Sequence, residues 1–143
     1  PKNKRQFLFE FLFYCGIIGG IQAILTPLID DYGGYNFFYI QFFFKHAMII
    51  AFPIYLRNNL GMKLTTFSWL KTYFALNVLM ILLIQLNNIL GSNYMYVNVP
   101  PAVDNPMVIG EWPTYLYWWE LFVLILILLV FVIGKPKTFE KAN

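Results

Sequence analysis

Charge is scarce in this 143-residue chain: Asp, Glu, Lys and Arg together make up 12% of it, against about 25% in a soluble domain. There is one cysteine, Cys15, which excludes an internal disulfide and a cysteine-based metal site. There is one histidine, His46, so neither a zinc site nor a haem site is expected. Serine occurs twice, as Ser68 and Ser92. A Ser92–His46–Asp104 triad can be drawn, but no spacing supports it, because triads are recognised by geometry. No P-loop and no dinucleotide fingerprint occurs, and no cofactor is called for. A cleavable signal peptide is not seen: the first apolar run is too long and lacks a small-residue cleavage motif.

What fills the chain instead is apolar. Hydrophobic residues reach 59% and aromatics 20%, with fifteen Phe and ten Tyr. A water-soluble domain of this length could not hide that much apolar surface. A transmembrane helix needs about 20 mostly apolar residues, and four runs qualify, at roughly 7–28, 37–56, 66–90 and 114–133. The fold class expected is all-α, a polytopic transmembrane helical bundle in one domain over 1–143. Residue 1 is Pro, and the first span follows directly on a basic stretch, so the chain is read as the C-terminal part of a longer one with further transmembrane helices upstream.

The few charges are ordered. Lys2, Lys4 and Arg5 precede the first span, Arg57 and Lys63 lie between the second and third, and Lys135, Lys137 and Lys141 follow the fourth. The other two connections carry Asp30, Asp31, Asp104 and Glu111 and no cation. Cations thus alternate with none, loop by loop, which puts both ends and the middle loop on the cytoplasmic side of a multi-pass cell-membrane protein. The net charge of +3 is accounted for by these flanks, without a basic patch for nucleic acid.

Local signals agree. Thr26-Pro27 and Asp31-Tyr32-Gly33-Gly34 stop a helix and turn the chain. Gly16 and Gly20, followed by Ala23, share a face that lets a neighbouring helix approach closely. Pro53 frees the carbonyl of Ile49, and a kink is expected there. Trp112, Tyr115, Tyr117, Trp118 and Trp119 gather at the start of the fourth span as an interfacial belt. The connection from Gly91 to Pro113 is long and stiffened by Pro100, Pro101, Pro106 and Pro113, and is expected to fold back over the bundle.

Ionisable groups within spans cost roughly 2.5–3.5 kcal/mol at the centre and are functional candidates by default. The candidates are Lys45 and His46 in the second span, Asn77, Gln85, Asn87 and Asn88 in the third, Glu120 in the fourth, and Glu10 and Gln22 in the first. At about 100° per residue, Asn77, Gln85 and Asn88 fall on one stripe expected to face the bundle interior. Glu10 and Lys71 are expected to snorkel to the edge. Lys45 is too deep for that and needs a carboxylate such as Glu120, or a lipid phosphate. His46, with an unperturbed pKa of about 6.5, suits proton transfer, although a lone histidine also serves structure. Asn and Gln in spans also act as helix glue, at about 0.6 kcal/mol per bond. Cys15, among glycines and apolar neighbours, reads as packing.

Several segments resemble a known family. Gly19-Gly20-Ile21-Gln22-Ala23-Ile24-Leu25-Thr26-Pro27, His46 in Phe44-Lys45-His46, Asn88-x-x-Gly91-x-Asn93-Tyr94-Met95-Tyr96, and Gly110-x-Trp112-Pro113-x-Tyr115 followed by Glu120 are similar, in order, to segments of the YwaF-like bacterial multi-pass membrane proteins. The resemblance implies six or seven spans in the whole protein, and a likeness to a eukaryotic acyltransferase that remodels ether phospholipids. It implies an acyl-carrying Cys on an earlier helix, a motif that Cys15 does not match. Val99 stands where that family commonly has a basic residue, and Glu111 where it often has Pro.

The enzyme expectation that follows is acyl transfer between lipids within the bilayer. His46 is its general base. Asn88, Asn93 and Tyr94 serve as donors to an oxyanion or headgroup, and Glu120 orients His46. Lys45, Asn77, Trp112 and Tyr115 complete the substrate-binding candidates, with membrane lipids as partners. Two other classes stay open: a small-solute or lipid carrier or channel, for which polar groups at mid-depth and a proline-bearing helix also speak, and an accessory subunit whose polar stripe is helix glue.

Overall fold

A computed structural model describes residues 2–29, 36–103 and 105–136. Asp30, Asp31, Tyr32, Gly33, Gly34, Asp104, Lys137 and Lys141 lie outside the described residues. The described chain is all-helical: α1 (Lys2–Leu25), α2 (Phe37–Leu60), α3 (Ser68–Leu90) and α4 (Thr114–Gly134), with one 3-10 turn at Tyr94–Tyr96. Each α-helix is long and apolar enough to cross a membrane. The four apolar runs fall on the four helices, with α1 starting five residues earlier and α2 ending four later than the runs, because helix continues into the polar flanks where water can satisfy its ends.

The boundaries have local causes. Asn36 caps α2 by accepting the Phe38 amide through its side chain at 2.9 Å. Gly61 and Gly91 end α2 and α3 in the left-handed region, with φ of 65° and 60°, which glycine adopts without steric cost. α2 runs unbroken through Pro53. Pro53 is buried, and the carbonyl of Ile49 that it frees faces Gly16 of α1, where a Cβ would lie 2.9 Å from the oxygen. A glycine hydrogen fits that gap, so α1 covers the freed carbonyl. One turn further on, a Cβ on Gly20 would meet Ile50 at 2.6 Å and the His46 carbonyl at 3.2 Å. Gly16 and Gly20 are therefore what lets α2 lie against α1, and the two helices are antiparallel.

α3 and α4 pack on α1 and on each other, whereas α2 packs on α1 and on no other described helix. The apolar core lies low in the bundle, around Phe9, Phe13, Tyr14, Leu64 and Ile127. Gly134 closes that end: Leu64 and Phe13 would lie 2.9 and 3.0 Å from a Cβ there. The start of α1, the 61–67 connection and the end of α4 thus share one end of the bundle, here the terminal end. The 91–113 connection covers the opposite, loop end.

Glu10 departs from expectation. It does not snorkel; its side chain is 0% exposed. Its carboxylate accepts from Lys71 Nζ at 2.6 Å, from the Thr65 amide and hydroxyl at 3.0 and 2.6 Å, and from Gln6 at 2.9 Å. Four donors satisfy a buried charge that would otherwise be prohibitive, and they tie the 61–67 connection to α1. Tyr14 and Ser68 share a further buried hydrogen bond, 2.7 Å.

Candidate functional site

Because α2 leans on α1 alone, a gap stays open between α2 and α4, floored by α1. It is a cavity of about 490 Å³, within the usual range for a small-molecule site. Ile18, Phe122, Leu126 and Ile127 make its apolar walls, and Met95 and Tyr96 of the loop reach over it. Its polar lining includes Gln22, Thr26, Cys15 and His46, and His46 is the one basic side chain among the lining residues.

The His46 ring is held in a defined way. Nδ1 lies 2.7 Å from the Phe42 carbonyl one turn back, and the Phe42 ring stacks against it with centroids 4.2 Å apart. A carbonyl can only accept, so Nδ1 carries the proton. In the neutral ring, Nε2 is then the basic nitrogen, and it has no partner among the described residues. Gly20 lies against the His46 carbonyl, so the same close approach that seats α2 fixes the backbone beneath the ring.

Over the cavity, the 91–99 segment is lashed down by asparagines. Asn87, 1% exposed, accepts from the Tyr94 amide at 2.8 Å and the Ser92 hydroxyl at 3.0 Å, and donates to the Tyr94 carbonyl at 3.1 Å and to Asn98 at 2.8 Å. Asn98 donates in turn to the Ile84 carbonyl and Asn88. Asn93 binds the Asn98 and Val99 amides and the Val99 carbonyl. Trp112 donates through Nε1 to the Val97 carbonyl at 3.1 Å, and buried Tyr115 donates to the Tyr96 carbonyl at 2.6 Å. These bonds hold Met95 and Tyr96 at φ of 57° and 53°, a left-handed conformation that side chains other than Gly and Asn rarely adopt. The cavity's cover is thus a strained turn held by its surroundings.

The residues singled out from sequence fall into three places. His46 is in the cavity wall. Asn88, Asn93, Trp112 and Tyr115 belong to the loop network through their side chains, and Tyr94 belongs to it through its backbone. Glu120 accepts from Asn77 at 2.9 Å, between α3 and α4, and His46 is oriented by the Phe42 carbonyl instead. Lys45 is exposed and does not pair with Glu120, since α2 and α4 do not touch. The stripe expectation also changes: Gln85 and Asn88 are exposed, and Asn87 is the buried amide, because α3 meets its neighbours along Ser68, Thr72, Leu83 and Asn87. Sequence reasoning singled out neither the cavity nor the left-handed pair. Asn87 carried one signal, its place four residues before the glycine that ends α3, where its side chain can reach the chain that turns back. Two buried polar groups, the Thr72 hydroxyl and the Trp119 indole N–H, have no partner among the described residues.

Four apolar membrane-length helices around an apolar cavity define a polytopic membrane bundle, not a soluble catalytic domain. Residues 3–131 match the TMEM164 family, and the chain belongs to that family. No curated protein and no solved structure matches it.

Proposed function

We propose that the protein is an intramembrane acyltransferase that moves an acyl chain between membrane lipids, with His46 as its general base and the terminal end of the bundle on the cytoplasmic side. The observation that carries this reading is a single basic group, with its proton fixed on Nδ1, in the wall of a mostly apolar cavity of about 490 Å³ between membrane-length helices. An apolar cavity suits an acyl chain, and an imidazole with a free Nε2 can accept a proton. The resemblance to the YwaF-like proteins and their ether-lipid acyltransferase relative supports it further. The sidedness rests on the alternation of Lys and Arg between connections.

In the step proposed, Nε2 takes the proton of an attacking hydroxyl or thiol. The attacking atom bonds to the ester carbonyl carbon, the acyl carbon–oxygen bond breaks, and the proton returns to the departing lysolipid oxygen. Phe42 holds the ring's other nitrogen throughout. Labelled-lipid transfer by the full-length protein in proteoliposomes tests this: His46→Gln is expected to lower turnover by about 10²-fold or more with the fold intact. Unchanged turnover refutes the mechanism, and solute or lipid movement without covalent change replaces it with transport.

A further inference from the structure

Lys45 is the deepest exposed cation of the bundle and has no ion pair among the described residues. It follows Phe42 by three positions and precedes His46 by one. At 100° per residue it sits about 60° round the helix from Phe42, and Phe42 and His46 both line the cavity. Gln41, also exposed, lies one turn nearer the loop end on the same strip.

Depth decides what can meet this charge. The 24 residues of α2 span about 36 Å at 1.5 Å each, and Lys45 is ninth, about 12 Å from the loop end. Side chains on a helix lean toward its N-terminus, which for α2 is the loop end. The lysine stem therefore carries its ammonium about one further turn, ~5.4 Å, to the level of Gln41. In a hydrocarbon layer about 30 Å thick, that is a few ångströms beneath the headgroup boundary. Lipid phosphates lie at that level and have the right sign, and among the described residues the carboxylate of Glu120 is held by Asn77 on the α3–α4 side.

We infer that Lys45, with Gln41, binds the phosphodiester of a phospholipid whose acyl chain enters the cavity. Glycerol esters lie on the hydrocarbon side of their phosphate. Holding the phosphate at Lys45 therefore brings the ester bonds down beside His46, one residue further along α2. Lys45 is a positioning residue that selects phospholipids over neutral lipids. This deepens the acyltransferase reading and rests on it for the alignment of the ester, while the binding itself can be measured without turnover.

The test uses the full-length protein in detergent micelles, titrated with dioleoylphosphatidylethanolamine and, separately, with dioleoylglycerol, which has the same chains and no phosphate. Lys45→Met keeps the stem and removes the charge on a lipid-facing surface. It is expected to weaken phospholipid binding about tenfold, as for loss of a charge-assisted bond, to leave dioleoylglycerol binding within about twofold, and to be rescued by Lys45→Arg. Equal binding of the phospholipid by wild type and Lys45→Met overturns the inference, as does equal loss of both lipids. Loss of a co-purifying subunit with lipid binding intact also overturns it, assigning Lys45 to a protein carboxylate. Transfer lost in His46→Gln with phospholipid selectivity retained in Lys45→Met sinks this inference alone. Selectivity lost in Lys45→Met with transfer retained in His46→Gln sinks the catalytic reading and leaves the lipid site standing.

Discussion

Replacing Asn87 by Ala is the sharpest test of how the cover is held over the cavity. The amide makes four hydrogen bonds from a position 1% exposed. Its loss orphans both backbone groups of Tyr94, the Ser92 hydroxyl and one lone pair of Asn98. Each buried unsatisfied group costs about 1–3 kcal/mol, but the loop end lies near water, which re-satisfies part of this set as the segment loosens. Opening also releases Met95 and Tyr96 from the left-handed region, a relief of about 1 kcal/mol each, which favours the open loop once Asn87 no longer opposes it. Asn98 stays anchored to the Ile84 carbonyl and Asn88, so the loss is local. A net fall of about 3 kcal/mol in the free energy of loop opening corresponds to roughly a hundredfold. Hydrogen exchange of the peptides covering 92–99, measured in nanodiscs where opening and closing outpace exchange, reads this directly. Asn88→Ala, which removes one acceptor at an exposed position, is expected to speed the same amides by less than about tenfold. Exchange in Asn87→Ala within about threefold of wild type, or no faster than in Asn88→Ala, refutes the network as the clamp.

Two further outcomes are expected. Gly16→Ala and Gly20→Ala should each destabilise the bundle by about 1–3 kcal/mol through overpacking against Ile49 and Ile50. Gly19→Ala, where a Cβ meets nothing within 4 Å, should be neutral or stabilising by up to about 1 kcal/mol. Denaturant-induced loss of helical circular dichroism in micelles ranks the three, and equal effects would refute the tight α1–α2 seam. A double-mutant cycle on Glu10→Gln and Lys71→Met should give a coupling of about 1 kcal/mol, below the roughly 1.5–3 kcal/mol of a charged hydrogen bond, because Lys71 is 44% exposed and solvent screens it. A coupling indistinguishable from zero would assign the burial of Glu10 to Thr65 and Gln6 alone.

The spans were legible because hydropathy over twenty residues is a local sum, and the bilayer leaves a backbone few ways to cross it. Gly16 and Gly20 were legible too, since a small-residue spacing of four reports one face of one helix. What could not be read was which face of α3 turns inward. Asn87 and Asn88 are adjacent, and only the crossing of α3 with its neighbours decides that Asn87 is buried. The buried Glu10 failed for a related reason. Depth from the terminal end pointed to snorkelling, but Thr65 and Lys71 reach it from 55 and 61 residues away, a separation over which no periodicity carries information. The left-handed pair Met95–Tyr96 defies local propensity altogether, and conflict between propensity and conformation is expected where a site is being shaped.

The case for His46 as more than helix glue turns on what its hydrogen bond accomplishes. A bond from Nδ1 to the Phe42 carbonyl lies within a single helix and ties no two helices together. The amides that do tie segments together, Asn77 to Glu120 and Asn87 to Tyr94, spend their polar atoms across contacts. The ring of His46 instead stands against a cavity with a nitrogen unused. For stability alone, an aliphatic residue there would avoid the desolvation of an unpaired acceptor. The bond to Phe42 does one thing an aliphatic residue could not: it fixes the proton on Nδ1 and leaves Nε2 basic. Under the function proposed above, that prepares the ring for chemistry or ligand binding rather than for packing.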